Sequence, residues 1–336
     1  MSGILIFFLL YCFPLVPAGS QQDEPLVIEG ATMGTTYRII YFDTPGRRNF
    51  KGAVDSLLVK VNQSINTYDP AAEISQFNQS DRGICIALPY LYEILTKAKR
   101  IYRRSDGAFD PTVMPLVNAW GFGPGKSQAP KQKQIDSLKR LTGFDKMKFS
   151  RRRIRKEHPA VQLDMGGIGQ GYGADVVFRF LRSKGIKNML VELGGEGLAL
   201  GRNLRKSKPW TIGILDPNST PDHQFFKAYV TLHDNAFTTS GNYFNYKVID
   251  GIKYGHTIDP VSGYPVQHEL LSASVFASDC TTADGWATAF MVMGLEKAIA
   301  KVQSLRGLEA LFIYANQNGS LGTYISPGLE NHVTLE

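Results

Sequence analysis

The sequence predicts an α+β protein folded as one compact domain, with mixed or antiparallel sheets and helices packed on them. Three observations carry that prediction. Strand-length runs rich in β-branched and aromatic residues recur from Thr35 to Tyr314, and the helical apolar stripes among them lack the βαβα alternation of a doubly wound sheet. The composition of the 336 residues, 43% hydrophobic, 11% aromatic and 20% charged, is that of a globular chain with a sizeable core. Finally, no internal repeat, low-complexity block or linker divides the chain.

Taken in order, residues 26–42 carry a β-rich run, with Thr35 to Tyr41 favouring a strand. Apolar residues at 54, 57, 58, 61 and 65 predict a helix that Asn66-Thr67-Tyr68-Asp69-Pro70 ends in turn chemistry. Pro89 to Arg104 reads as a second helix, with Leu91, Ile94, Leu95, Ala98 and Ile101 on one stripe and Gly107 just beyond it. A Gly/Pro-rich loop and a short polar helix over 132–142 follow. The middle reads as a strand at 161–163, a glycine-dense turn at 166–171, a helix at 172–183 and a buried strand at 188–193. Further strands are expected at 210–215, 228–232, 237–239, 246–249, 271–277 and 310–314, with a single helix over about 282–305.

The N-terminus and the charge narrow the setting. Ile4 to Val16 is almost wholly apolar and is followed by Ala18-Gly19-Ser20, the pattern of a cleavable export signal over residues 1–20, with the folded domain over 21–336. No Lys or Arg precedes that run, and Cys12 lacks the small residue that usually precedes a lipidated cysteine. The expectation is an exported chain, periplasmic or anchored on the periplasmic side of the inner membrane. The net charge of +7 comes largely from Lys146 to Lys156, read as a solvated hairpin or loop; no nucleic-acid module accompanies it, so no nucleic-acid partner is expected. Cys85 and Cys280 are too few for a disulfide framework or a thiolate zinc site, and are expected as isolated buried thiols.

The chemistry turns on Leu163 to Ala174. Gly169-x-Gly171-x-x-Ala174 matches a dinucleotide fingerprint, with Glu192 about twenty residues on. Yet Asp164 puts a bare carboxylate where a pyrophosphate would sit on a helix N-terminus, which repels it unless a cation lies between. Asp284 and Thr288, four apart on a helix that Thr281 or Thr282 is expected to cap, place two hard oxygens on one face, a set suited to magnesium. An acid in a first turn also serves simply to complement the helix dipole. Glu192 and Glu196 in a strand-to-turn stretch read as exposed acids, and Gly107 to Thr112 and Tyr254 to Pro260 each read equally well as turn chemistry.

What changes the weight of these clusters is their joint occurrence in order. Met33-Gly34-Thr35-Thr36-Tyr37, Ser75-x-Phe77-Asn78, Gly107-Ala108-Phe109-Asp110-Pro111-Thr112 and Leu163 to Tyr172 come first. Gly194-Gly195, Thr239-Ser240-Gly241, His256-Thr257-Ile258-Asp259-Pro260-x-x-Gly263-x-Pro265 and Ala283-Asp284-x-x-Ala287-Thr288 follow. Over about residues 29–325 the chain resembles the ApbE family of FAD:protein FMN transferases.

The resemblance implies a single T-fold-like α+β domain that binds FAD in a cleft. It implies flavin-nucleotide contacts from Met33, Tyr68, Ala108, Phe109, Asp110, Asp164, Gln170 and Ile258, and a Mg2+ site from the Gly167 carbonyl, Asp284, the Ala287 carbonyl and Thr288. His256 matches a histidine implicated in catalysis. Gln170 stands where many relatives carry Lys, so an ionic contact at that position is lost here. The activity implied is magnesium-dependent transfer of FMN from FAD to a Thr or Ser hydroxyl of an acceptor flavoprotein, a subunit of a membrane redox complex, releasing AMP. The competing readings are an FAD pyrophosphatase using water as acceptor, an FAD-binding lipoprotein without chemistry, and, more distantly, a Rossmann oxidoreductase. An imidazole titrates near neutrality and suits the role of acid or base, and Asp259 is a candidate to orient it.

Overall fold

In the computed structural model the described residues are 24–44, 46–123, 129–220, 222–241, 246–249 and 252–336; the expected export signal and Cys12 lie outside them. The chain opens with a hairpin, β1 (Leu26–Thr32) and β2 (Thr35–Phe42). Then come α1 (Lys51–Ile65), α2 (Glu73–Gln79), β3 (Gly83–Cys85), α3 (Pro89–Arg104), α4 (Met114–Ala119) and α5 (Gln132–Lys139). A second hairpin, β4 (Met147–Ser150) and β5 (Arg153–Lys156), precedes α6 (Gly169–Ser183), and β6 (Asn188–Leu193) and β7 (Glu196–Leu200) form a third. Strands β8 (Arg202–Asn203), β9 (Lys208–Leu215), β10 (Phe226–Leu232), β11 (Ala236–Gly241), β12 (Tyr246–Ile249), β13 (Ile252–Gly255) and β14 (Leu270–Ala277) lead to α7 (Cys280–Met293) and α8 (Leu295–Ser304). β15 (Leu308–Ala315), β16 (Leu321–Ile325) and β17 (Val333–Leu335) end the chain.

An eight-stranded sheet in the order β1-β2-β6-β7-β11-β14-β15-β16 is the backbone of the fold, and among the described residues every strand pair is antiparallel. This is the predicted α+β class, and it excludes the doubly wound parallel sheet that the glycine fingerprint left open. One face of the sheet carries helices; the other carries the four-stranded sheet β17-β10-β9-β8. β6 shows how the two-residue repeat builds both layers. Met189, Val191 and Leu193 pack against α6, while Leu190 turns to Trp210 and Phe237 on the far side. The helix-side core continues through Leu91, Ile94 and Ile101 of α3 to Trp286 and Phe290 of α7, which are buried to within a few per cent.

Four local expectations need correction. Residues 161–163 form no strand; the Asn78 side chain takes their place as partner, accepting from the Leu163 N–H (2.7 Å) and donating to the Leu163 carbonyl (2.9 Å). The helix over 282–305 is two helices, α7 and α8, broken at Gly294, whose φ of 76° lies in the left-handed region. The basic stretch does form a hairpin, but Lys156 is buried, with Nζ donating to the Val161 carbonyl (3.0 Å) and lying over the Phe77 ring, and burial lowers its pKa to about 8. Cys280 is the buried free thiol expected, whereas Cys85 is free but exposed.

Candidate active site

Two helix N-termini meet at the helix side of the sheet, and their sequences explain how closely. α6 begins at Gly169, three residues earlier than its apolar pattern predicts, and runs across α7. At Gly171 a Cβ would lie 2.5 Å from the Cys280 carbonyl, so a residue with a side chain would push the helices apart. The fingerprint glycine therefore serves a helix crossing. α7 is capped by Asp279, which accepts from the Thr282 N–H (2.9 Å), rather than by Thr281 or Thr282. From α6, Asp175 adds a second cap: its carboxylate accepts from the N–H groups of Cys280 (2.8 Å) and Thr281 (3.0 Å) and from the Thr281 hydroxyl. Lys97 of α3 pairs with both acids. Asp175 was invisible to local pattern reading, because its partners on α7 lie more than 100 residues away and Lys97 lies 78 away.

The predicted cation ligands come together at this crossing. The Thr288 hydroxyl donates to the Gly167 carbonyl at 3.2 Å, and a Cβ on Gly167 would sit 2.6 Å from that hydroxyl. One turn earlier on α7, Asp284 is buried and accepts from the Gly171 N–H at 3.0 Å; Ala287, fully buried, lies on the same helix. Burial raises the Asp284 pKa against the pull of that N–H, and the neighbouring Asp175 charge raises it further. Among the described residues no three His, Cys, Asp or Glu side chains gather as a metal cluster. The set is instead a carbonyl, a hydroxyl and one carboxylate, the hard oxygen donors that magnesium shares with water and phosphate. Glu196, expected as an exposed acid, is buried, and its Oε2 is unpartnered. A buried carboxylate oxygen without a partner next to this set fits a site made for a cation.

The remaining candidates come from the β1–β2 turn, the start of α6 and the segments that follow α1 and α3. Met33 sits at φ 50° in the two-residue turn between β1 and β2, and its thioether packs over Gly173 of α6. Gln170 lies in the first turn of α6 with its amide against Gly194. Tyr68, after α1, is 67% exposed, an uncommon surplus for a large aromatic ring, and its hydroxyl donates to the Phe122 carbonyl at 3.4 Å. Ala108, Phe109 and Asp110 follow α3, with the Phe109 N–H donating to the Ser105 hydroxyl (3.1 Å). Asp110 is a buried turn cap, accepting from the N–H (2.8 Å) and hydroxyl (2.7 Å) of Thr112, and burial raises its pKa to about 6.

Asp164 joins these groups. Its N–H donates to the Pro111 carbonyl (2.7 Å) and its Oδ1 accepts from the Gly166 N–H (2.8 Å). Burial raises its pKa, and the Gly166 N–H and the charge of His256 pull it back. Its own charge in turn acts on Tyr68. His256 is thus electrically coupled to Asp164. Asp259, the candidate orienting acid, accepts from Val261 (2.9 Å) and Ser262 (3.2 Å) and holds its own turn. Ile258 is buried beside it, bridged to Pro265. A separate cavity of about 280 Å3, between His233, Phe276, Glu309 and His332, includes none of these residues.

Fold and site together define a class of protein: an antiparallel α+β domain with hard oxygen donors at a helix crossing, and an acid, Asp164, that interacts through its charge with a histidine and an exposed tyrosine. The chain belongs to the ApbE family, whose profile matches residues 33–312. It is 36% identical to an FAD:protein FMN transferase of Vibrio cholerae over 313 residues, spanning 91% of this chain and 92% of that one. To the enzyme of the same description from Escherichia coli K12 it is 34% identical, spanning 95% and 92%. Among solved structures, the flavin transferase ApbE from Vibrio cholerae superposes with a TM-score of 0.82 at 34% identity, covering 92% of this chain and 99% of that one. The apo form of a flavinyl transferase ApbE from Pseudomonas stutzeri gives 0.80 at 34% identity, covering 91% and 96%.

Proposed function

We propose that this chain is an FAD:protein FMN transferase that uses magnesium and places FMN on a Thr or Ser hydroxyl of an acceptor protein. One observation carries the reading: the Gly167 carbonyl, the Thr288 hydroxyl and the buried Asp284 converge at the helix crossing, in a chain that is similar to such transferases along nearly its whole length. Gly167, Asp284, Thr288 and the Ala287 carbonyl are the groups that would hold magnesium. Bound there, the ion would supply charge neutralisation to a pyrophosphate.

The chain's own residues account for the rest. Met33, Ala108 and Phe109 offer apolar contact to the flavin nucleotide, and Tyr68 offers an exposed ring face. Gln170 donates through a neutral amide. The acceptor oxygen attacks the phosphorus of the FMN half, the P–O bond to AMP breaks, and the hydroxyl proton passes to the His256 imidazole, whose charge Asp164 feels. We further propose that residues 1–20 direct export and that the acceptor is a flavoprotein subunit of a membrane redox complex. Among the described residues, no helix is long and apolar enough to cross a membrane.

Incubation with FAD, magnesium and an acceptor carrying the target Thr, read by mass, tests the proposal. The expected product is acceptor plus FMN with one AMP released. No protein-bound flavin under any divalent metal would sink it. AMP release without acceptor would favour a hydrolase, and an Asp284→Ala chain with no catalytic rate to lose would mark a binding protein.

A further inference from the structure

Two side chains behind the cation cradle are buried without partners. Glu196, the first residue of β7, is 8% exposed, and its Oε2 has no hydrogen-bond partner; Thr238 of β11 is 1% exposed, and its hydroxyl has none. β7 and β11 pair with Leu198 opposite Ala236 and Gly197 opposite Phe237, and the next step of that register sets Glu196 opposite Thr238. Leu198 and Ala236 face the helices, so the two-residue repeat turns Glu196 and Thr238 the same way. α7 packs on both strands there, and Glu196 lies within reach of the Asp284 charge.

Left alone, this arrangement is costly. A buried carboxylate oxygen without a donor, close to a second buried carboxylate, destabilises a fold. Lys97 pairs with Asp175 and Asp279 rather than with Glu196. A hard cation that keeps part of its water shell removes the penalty, since its waters donate to carboxylates beyond its direct ligands. We propose that Glu196, held opposite Thr238, is a positioning residue of the cation site, accepting from the waters of the ion that Asp284 and Thr288 hold. This rests on the reading of Asp284 and Thr288 as cation ligands.

Calorimetric titration of the full chain with Mn2+ alone tests it, in wild type and in Glu196→Gln, Glu196→Asp, Thr238→Val and Asp284→Ala. Glu196→Gln should weaken Mn2+ about tenfold or more, and Thr238→Val several-fold. Glu196→Asp should recover part of the loss, and the unfolding temperature of Glu196→Gln in chelator should not fall. Wild-type Mn2+ affinity in both Glu196→Gln and Thr238→Val, with binding lost in Asp284→Ala, would overturn the proposal and leave Glu196 a purely structural acid. Should Glu196→Gln fail to fold, Thr238→Val decides, and unchanged affinity there overturns it. Equal Mn2+ binding by wild type and Asp284→Ala would instead show that the underlying cation reading is wrong, and the proposal falls with it.

Discussion

At the scale of single residues, Asp110 shows how burial and hydrogen bonding pull in opposite directions on one carboxyl. Its cap to Thr112 fixes the turn after α3, while burial lifts its pKa from 3.8 to about 6. Between those values the folded chain keeps a proton that the unfolded chain has lost, so stability is complete below pH 4 and falls as pH rises through 6. The contribution lost is about 3 kcal/mol at most. Asp110→Asn keeps the acceptor for Thr112 and removes the titration. Its unfolding temperature should therefore fall less than that of wild type between pH 4 and 7, and parallel profiles would refute the assignment. His256 is the second residue to test. As the proton acceptor of the proposed transfer, His256→Ala should lower kcat by roughly 10²- to 10⁴-fold with little change in the KM for FAD. A matching rise in KM would recast it as a binding residue.

At the scale of elements, the junction of α6, α7 and α3 supports the site. Asp175 satisfies two N–H groups and a hydroxyl at the start of α7 and pairs with Lys97 from α3. Asp279 caps the same helix from a more exposed position. Asp175→Ala would leave buried donors unpaired and should cost about 3 kcal/mol in urea unfolding, against about 1 kcal/mol for Asp279→Ala. The reverse order would show that the local cap, and not the α6 contact, holds α7. This junction also marks the limit of sequence reading. The i, i+4 spacing of Asp284 and Thr288 was legible because a helix repeats locally. Asp175 was not, since its partners are distant in sequence. Glu196 was within reach: alternation along Glu196, Leu198 and Leu200 puts all three on one face of β7, but the adjoining Gly194-Gly195 turn drew the stretch into a loop reading.

At the scale of the whole molecule, the α+β class followed from patterns that persist along the chain, whereas the strand order did not. β2 pairs with β6 across more than 140 residues of helices and one small hairpin sheet, and β7 pairs with β11 across the strands of the second sheet. Such pairings depend on which apolar faces meet, and no local period encodes that. The sheet matters to function because β11 and β14, with the start of β7 beside them, form the floor beneath α7, so a ligand held at Asp284 would be coupled to the most buried part of the fold. A cation and nucleotide that bind only the folded state stabilise it by mass action, by about 2.7 kcal/mol for ligand at a hundred times its dissociation constant. Magnesium with FAD should therefore raise the unfolding temperature by several degrees, and a chelator should remove the part due to the metal. In Asp284→Ala the FAD-dependent shift should no longer respond to magnesium. A magnesium-dependent shift that survives in Asp284→Ala would move the cation site away from the helix crossing.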